Sequence, residues 1–351
     1  YDADNNKIEE TDALGNSRSW TYNENNQVAS YTDKLGSYKE YTYYDNGWLH
    51  TEVWKTGPGG TTVNTITWVY NANGQPLTVD DSNGTITWTY DDLGRNDSFQ
   101  DVWGKTLTYT LDAADRVTNI ADPFSGSLTI TWDNDNRVTQ RSFSDGTNQL
   151  AIGYQYNDRD QVTEVDRYSD SSATTLVGKT LYVYDDGARV TSISHKSASN
   201  VVIDSFSYSF DHADRVSQET STLGPTRNYS YDRTSQLLDD GTNSYSFDLN
   251  GNRTMSGYST GTDNRLSTDG TWNYSWDDEG NLVQRENIST SEVWVYAFDH
   301  NNRLTEEDHK ASSSTTYVDI RGIFKYDALG NRVEMDYDAD GDGSGSAVVT
   351  K

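Results

Sequence analysis

The chain contains no cysteine, which excludes disulfides, thiol catalysis and cysteine-based zinc sites. It has no run near the roughly 18 apolar residues that a membrane helix needs, so membrane insertion is not expected. A helical period is missing throughout, and good helix formers are sparse. Positive charge is in deficit: 27 Lys+Arg stand against 55 Asp+Glu, a formal net charge of −28. A field of that sign repels nucleic acid and anionic membranes and attracts cations. Nucleic acid is therefore excluded as a partner. Hydrophobic residues reach only 33%, low for a compact domain. No signal peptide opens the sequence, and Tyr1 falls in mid-pattern, as expected of a piece of a longer chain.

Rings are abundant instead. Aromatic residues make up 12%, with 10 Trp and 25 Tyr, whereas disordered chains are poor in them. Tyr and Trp bury a large area and keep a polar tip. They recur as one dipeptide, an aromatic followed by Asp or Asn. The series runs Tyr1-Asp2, Tyr22-Asn23, Tyr44-Asp45, Tyr70-Asn71, Tyr90-Asp91, then Leu111-Asp112 with an aliphatic substitute. It continues Trp132-Asp133, Tyr156-Asn157, Tyr184-Asp185, Phe210-Asp211, Tyr231-Asp232, Phe247-Asp248, Trp276-Asp277, Phe298-Asp299 and Tyr326-Asp327. That is about fifteen units, most of them about 20 to 22 residues apart.

Each dipeptide is preceded by strict alternation, as in Ile86, Trp88, Tyr90 or Phe206, Tyr208, Phe210, with Ser and Thr between. Period two with aromatic and β-branched residues is the signature of a half-buried strand. A polar turn follows, such as Asp91 to Arg95 or Asp327 to Asn331. Asp and Asn nucleate turns by accepting backbone N–H groups two or three residues on. Gly, Asn or Asp at the fourth place tolerates positive φ. Val, Leu or Ile then opens a return strand, as at Val138, Val216, Leu282, Leu304 and Val333. Roughly 25 to 30 short antiparallel strands are predicted. One unit departs: Tyr41 and Tyr43 alternate, yet its dipeptide is Tyr44-Asp45. An extra residue forming a β-bulge is the simplest account.

Units such as "YDDLGR" at Tyr90, "FDLNGNRT" at Phe247 and "YDALGNRV" at Tyr326 resemble the RHS/YD-repeat family. The resemblance runs through essentially the whole chain. It implies an all-β fold, a spiralling strip of antiparallel β-hairpins forming an open arc or partial shell. Family members include bacterial polymorphic toxins, the shells of insecticidal toxin complexes, cell-wall-associated proteins and teneurins. In toxin members the shell encloses a C-terminal toxic domain, and a core module rich in Asp-Pro motifs closes it. Asp122-Pro123 is the one Asp-Pro here, in mid-repeat, so no such module falls within these residues.

Residues with chemistry are few. Asp336, Asp338, Asp340 and Asp342 are spaced two apart and precede Gly343. That matches the first half of a calcium loop, and Ca2+ is the ion it would take. The bidentate Glu at the twelfth place is missing, and an acidic linker is the competing reading. The dipeptide carboxylates have a local task in their own turns, unlike a facing catalytic pair. The recurring arginines (Arg116, Arg137, Arg215, Arg253, Arg303, Arg332) are placed to pair with a neighbouring turn's Asp. The five His lack ligand spacing, and no nucleophile elbow or phosphate loop occurs. No enzymatic activity is expected.

The reading is a repeat array over 1–335 and an acidic linker, or a further repeat, over 336–351. Tyr1, Asp2, Tyr22, Asn23, Tyr90, Asp91, Trp132, Asp133, Tyr184, Asp185, Phe210, Asp211, Tyr231, Asp232, Trp276, Asp277, Phe298, Asp299, Tyr326 and Asp327 are the structural repeat motif. The expected role is a shell segment of a large secreted or cell-surface bacterial protein. Its partners would be the remainder of a longer RHS polypeptide and an enclosed effector domain. The alternative is an adhesin that binds carbohydrate or cell-surface glycans through the long insertions at Trp54 to Thr65 and Ser169 to Lys179.

Overall fold

A computed structural model describes residues 1–338, 341 and 348–350. Among the described residues there are 31 strands and one 3-10 turn, Thr262–Asn264. Every strand pairing is antiparallel and joins strands consecutive in sequence, as in Ser17–Tyr22 with Val28–Thr32. The strands from Glu9–Thr11 to Arg227–Asn228 make an open 20-stranded sheet. Tyr258–Thr260 to Val348–Thr350 make a nine-stranded one, and Ser230–Tyr231 pairs with Leu237–Asp239. The chain forms two compact units. The first comprises residues 1–88, 101–104 and 247–351, the second 89–100 and 105–246.

The repeat unit explains the hairpins from its residues. In the unit at Tyr90, Asp91 N–H donates to Arg95 C=O and Gly94 N–H to Asp91 C=O, both at 2.9 Å. Asp91 Oδ1 accepts the N–H groups of Leu93 and Arg95 at 2.9 Å. The reach is thus two and four residues, one further than turn chemistry alone suggested. The fourth place takes positive φ, as at Gly94, Asp115, Asn136, Asp214 and Gly330. Ala188 holds it too, at φ 66°, without the local hydrogen bonding that eases Asn and Asp into this region.

A register shift accompanies nearly every such turn. Tyr22 opposes Val28 while Thr21 opposes Ser30, and Tyr231 opposes Leu237 while Ser230 opposes Asp239. One residue on the return strand is left over, which raises the local twist. This corrects the reading of the unit at Tyr44. There Tyr43 opposes Leu49, and Tyr44 N–H donates to Trp48 C=O. Tyr43 holds the ring position and Tyr44 the place of the turn aspartate. The bulge belongs to the repeat, and no residue has been inserted before the dipeptide.

The rings sit half-buried and the interleaved Ser exposed, as in Phe206 to Phe210. Few apolar side chains are fully buried. In the first unit they include Trp54, Ile66, Val79, Ile86, Val293 and Phe324; in the second, Ala151. Rings bond backward along the strip instead. Tyr22, Tyr43, Tyr156, Tyr231 and Tyr326 donate their hydroxyls to the carbonyls of Lys7, Val28, Val138, Val216 and Leu304. Trp132 and Trp276 do the same with Nε1. Each ring thereby ties its strand to an earlier return strand, satisfying a polar tip that burial would otherwise penalise.

Gly74 has φ +82°, and a Cβ there would lie 2.7 Å from the Trp48 indole. Gly74→Ala should therefore cost more than about 1 kcal/mol, combining backbone strain with overpacking. Ala188→Gly should gain up to about 1 kcal/mol by releasing a left-handed alanine. Urea unfolding midpoints measure both, and the two shifts are expected to have opposite signs.

Candidate functional site

The turn aspartate organises a second set of bonds. Arg95 donates Nε to Asp91 Oδ2 at 2.7 Å and Nη1 to the Asp112 carbonyl and Asp115 Oδ1, both at 2.9 Å. Arg116 repeats this with Asp112, the Asp133 carbonyl and Asn136. Arg137 joins Asp133 to Asp160, Arg189 joins Asp185 to Asp214, and Arg215 joins Asp211 to the Asp232 carbonyl. In the first unit Arg303 joins Asp299 to the Asp327 carbonyl. Of the six arginines expected to pair with a neighbouring turn's Asp, Arg137 reaches such a carboxylate, at Asp160, while Arg116, Arg215 and Arg303 bond a backbone carbonyl of the next turn; the two-pronged contact is with the arginine's own turn. The guanidinium also lies over the next ring: Arg137 over Tyr156 at 4.9 Å, Arg189 over Phe210 at 4.6 Å, Arg215 over Tyr231 at 4.5 Å. Where arginine is absent, amides bridge the turns. Asn281 donates to Asp277 and Asn302, and Gln27 donates to the Gly47 carbonyl.

These contacts set the charge of the turns. The Arg95, Arg116, Arg189 and Arg215 side chains, and then their backbone N–H groups, hold Asp91, Asp112, Asp185 and Asp211 below the ordinary aspartate value of 3.8. Each of these carboxylates is held as an anion bonded within its own turn.

Within the first unit the turns of the late repeats meet the early repeats. Glu279, third in the turn after Trp276, has a side chain only 1% exposed. It accepts Arg18 Nε at 3.2 Å and the Lys34 N–H at 2.7 Å. Lys34 Nζ pairs with Asp12 at 2.6 Å. His300 stacks on Trp54 at 5.4 Å and bonds the Lys55 carbonyl at 2.8 Å. Lys39 donates to Asn301, and Asn83 donates to the Tyr326 carbonyl at 2.8 Å. The partners lie 243 to 262 residues apart in the sequence. Trp54, Asn64, Asn83, His300, Arg303 and Tyr326 line a cavity of about 350 Å³ at this seam.

Burial by itself would raise the Glu279 carboxyl. The Arg18 guanidinium and the Lys34 N–H outweigh it and hold the group below its ordinary value of 4.5. Asp81, 8% exposed, is pushed the other way, chiefly by burial.

From Tyr22-Asn23 to Tyr326-Asp327 the second residue of each motif dipeptide closes its turn with its backbone N–H, as Asn23 does to Gln27 and Asp327 to Asn331, whereas Tyr1 is 76% exposed and lies outside any strand. Asp336 and Asp338 lie in the strand Arg332–Asp338, while Asp340 and Asp342 lie outside the described residues. Among the described residues no group of three His, Cys, Asp or Glu is arranged for a metal ion. The insertion after Trp54 is spent on the seam: Asn64 is 9% exposed and caps the Ser82 N–H. The insertion after Ser169 closes on itself through Asp170, which accepts the N–H groups of Thr174 and Thr175. Sequence reasoning missed Arg18, Lys34, Lys39, Glu279, His300 and Asn301. Each stands at an ordinary repeat position, and contacts some 250 residues apart leave no periodic trace.

The family model described as RHS Repeat matches residues 1–38 and 70–95. No curated protein matches the chain. Three solved structures are similar. The toxin pair TcdB2-TccC3 without its hypervariable C-terminal region is 14% identical with a TM-score of 0.68, over 96% of this chain and 22% of that one. The Tc holotoxin pore of Photorhabdus luminescens is 14% identical with a TM-score of 0.67, over 96% and 21%. TcdB2-TccC3-Cdc42 is 14% identical with a TM-score of 0.51, over 96% and 22%. The likeness is one of fold, and this chain spans about a fifth of the length of those chains.

Carboxylates held below their ordinary values contribute stability above those values and lose it as pH falls. The urea midpoint should stay nearly level down to about pH 5 and then drop through 4.5 and 3.8. Glu279→Gln should lower the midpoint at neutral pH and flatten the upper part of that drop. A midpoint independent of pH down to about 3 would contradict these assignments.

Proposed function

Because this chain is an RHS/YD-repeat protein with the fold of a toxin-complex shell, we propose that it is a wall segment that encloses another part of a longer polypeptide. The RHS shell fold is structural, and no reaction is assigned to it. The observation that carries the reading is the seam in the first unit. Turns at Glu279, His300 and Tyr326 lock onto residues 243 to 262 positions earlier. A ribbon that only presented loops would need no such contact. A wall that must hold contents needs its successive passes fastened side by side.

The enclosed part is an effector or other domain of the same polypeptide, acting outside the cell that makes it. Among the described residues no helix is long and apolar enough to cross a membrane. The glycan-binding alternative draws less support. Trp54 is 3% exposed beneath His300, and the other rings recur at one structural position rather than forming a singular site. Calcium on Asp336, Asp338, Asp340 and Asp342 is a ligand set to be titrated, and calorimetry without heat removes it.

Electron microscopy of the whole polypeptide that carries this array is the test of the container. A continuous wall around enclosed density is the expected result. An array with solvent on both faces, together with glycan-array binding lost on substitution of the Ser169 to Lys179 loop, would favour the adhesin instead.

A further inference from the structure

One seam contact gathers three groups whose chemistry goes beyond packing. Lys39, on Tyr38–Tyr43, is buried at 7% exposure. Its Nζ donates to the side-chain carbonyl of Asn301, in the turn after Phe298. Glu52, on the paired strand Leu49–Lys55, puts Oε1 3.2 Å from the same Nζ. Trp54 walls the group on one side. Its Nε1 donates to Glu52 at 2.7 Å and its ring centre lies 5.2 Å from Lys39 Nζ. Trp20, Tyr31 and Tyr41 line the adjoining cavity of about 450 Å³. An amine held against a carboxamide, with a carboxylate within reach of the amine, is an arrangement for acyl transfer with general acid–base help.

We infer that Lys39 and Asn301 become joined by an intramolecular isopeptide bond, with Glu52 as the proton carrier. The Lys39 ammonium passes a proton to the Glu52 carboxylate, leaving a neutral amine. Nζ attacks Cγ of Asn301, so the Nζ–Cγ bond forms as the carbonyl π pair moves onto oxygen. Glu52 returns the proton to Nδ2, the oxygen pair re-forms the Cγ carbonyl as the Cγ–Nδ2 bond breaks, and ammonia leaves with that bond's electrons. The surplus proton on Nζ departs through Glu52 with the ammonia, as ammonium. No metal or oxidant enters the balance. The rings restrict water around the amine, and the turn at Asn301 is exposed, which gives the ammonia a way out. The link would fasten positions 262 residues apart and make the seam covalent, whatever the wall encloses.

The test is the intact mass of the purified, denatured protein. The expected mass is one ammonia below that of the sequence, with digestion yielding a branched peptide that joins the Lys39 and Asn301 segments. Lys39→Arg and Asn301→Ala should each restore the full mass. Glu52→Gln, checked for folding by circular dichroism, should be folded and unlinked. The wild type decides the matter without relying on any variant. Full sequence mass after prolonged incubation at neutral pH overturns the bond, as does an ammonia loss that maps to a cyclised asparagine. A folded Glu52→Gln protein that still forms the branched peptide overturns the role given to Glu52.

Discussion

In the arginine-bearing turns one aspartate satisfies two backbone N–H groups with one oxygen and a guanidinium with the other. Those repeats depend on that double duty. In the unit at Phe210, Asp211 Oδ1 takes the N–H groups of Ala213 and Arg215, and Oδ2 takes the Arg215 side chain. With the arginine fixed at its near end, its far end reaches the Asp232 carbonyl and its face covers Tyr231. The Tyr231 hydroxyl then returns to the Val216 carbonyl. Each unit is thereby tied to its neighbour twice, by guanidinium and by ring. A sheet with so few fully buried side chains cannot rely on a thick apolar core, and nearest-neighbour ties of this kind are how repeat arrays hold together.

The ties also say why the residue types are what they are. Arginine offers a planar fork to the aspartate and a flat face to the ring, which lysine cannot do. Tyrosine and tryptophan serve where phenylalanine would leave a carbonyl unbonded, although Phe210, Phe247 and Phe298 occupy the place in three units. Exposed ion pairs are worth only about 0–1 kcal/mol each, and a cation over a ring about 0.5–1 kcal/mol at an exposed site. The strength lies in repetition along the strip, not in any one contact. The seam is different in kind. It is sparse and irregular, and it uses side chains that are buried: Glu279, Lys39 and Trp54.

The hairpins, the alternation of rings with Ser and Thr, and the turn aspartates were all legible in the sequence, because each is local and repeats. Tyr44-Asp45 misled because the dipeptide rule looks for a ring followed by an acid. Geometry asks only which residue pairs with the return strand, and that is Tyr43 with Leu49. Between repeats the rings are met in two ways. In the first unit Trp68 stacks on Trp88 at 6.4 Å, while in the second a guanidinium covers Trp132, Tyr156, Phe210 and Tyr231. The seam was not legible at all. Glu279 stands where Leu93 or Asp135 stands in other turns, and only the return of the strip to Arg18 and Lys34 gives it a purpose.

The central claim is that a turn's stability is shared with the next turn through one arginine. Hydrogen exchange on Arg137→Lys measures this directly at amide resolution. Protection should fall at the Asp133 to Arg137 turn and at the Asn157 to Gln161 turn that Arg137 reaches through Asp160, while the Asp211 to Arg215 turn keeps its protection. A loss confined to the first turn would contradict the account, because the arginine would then serve only its own hairpin.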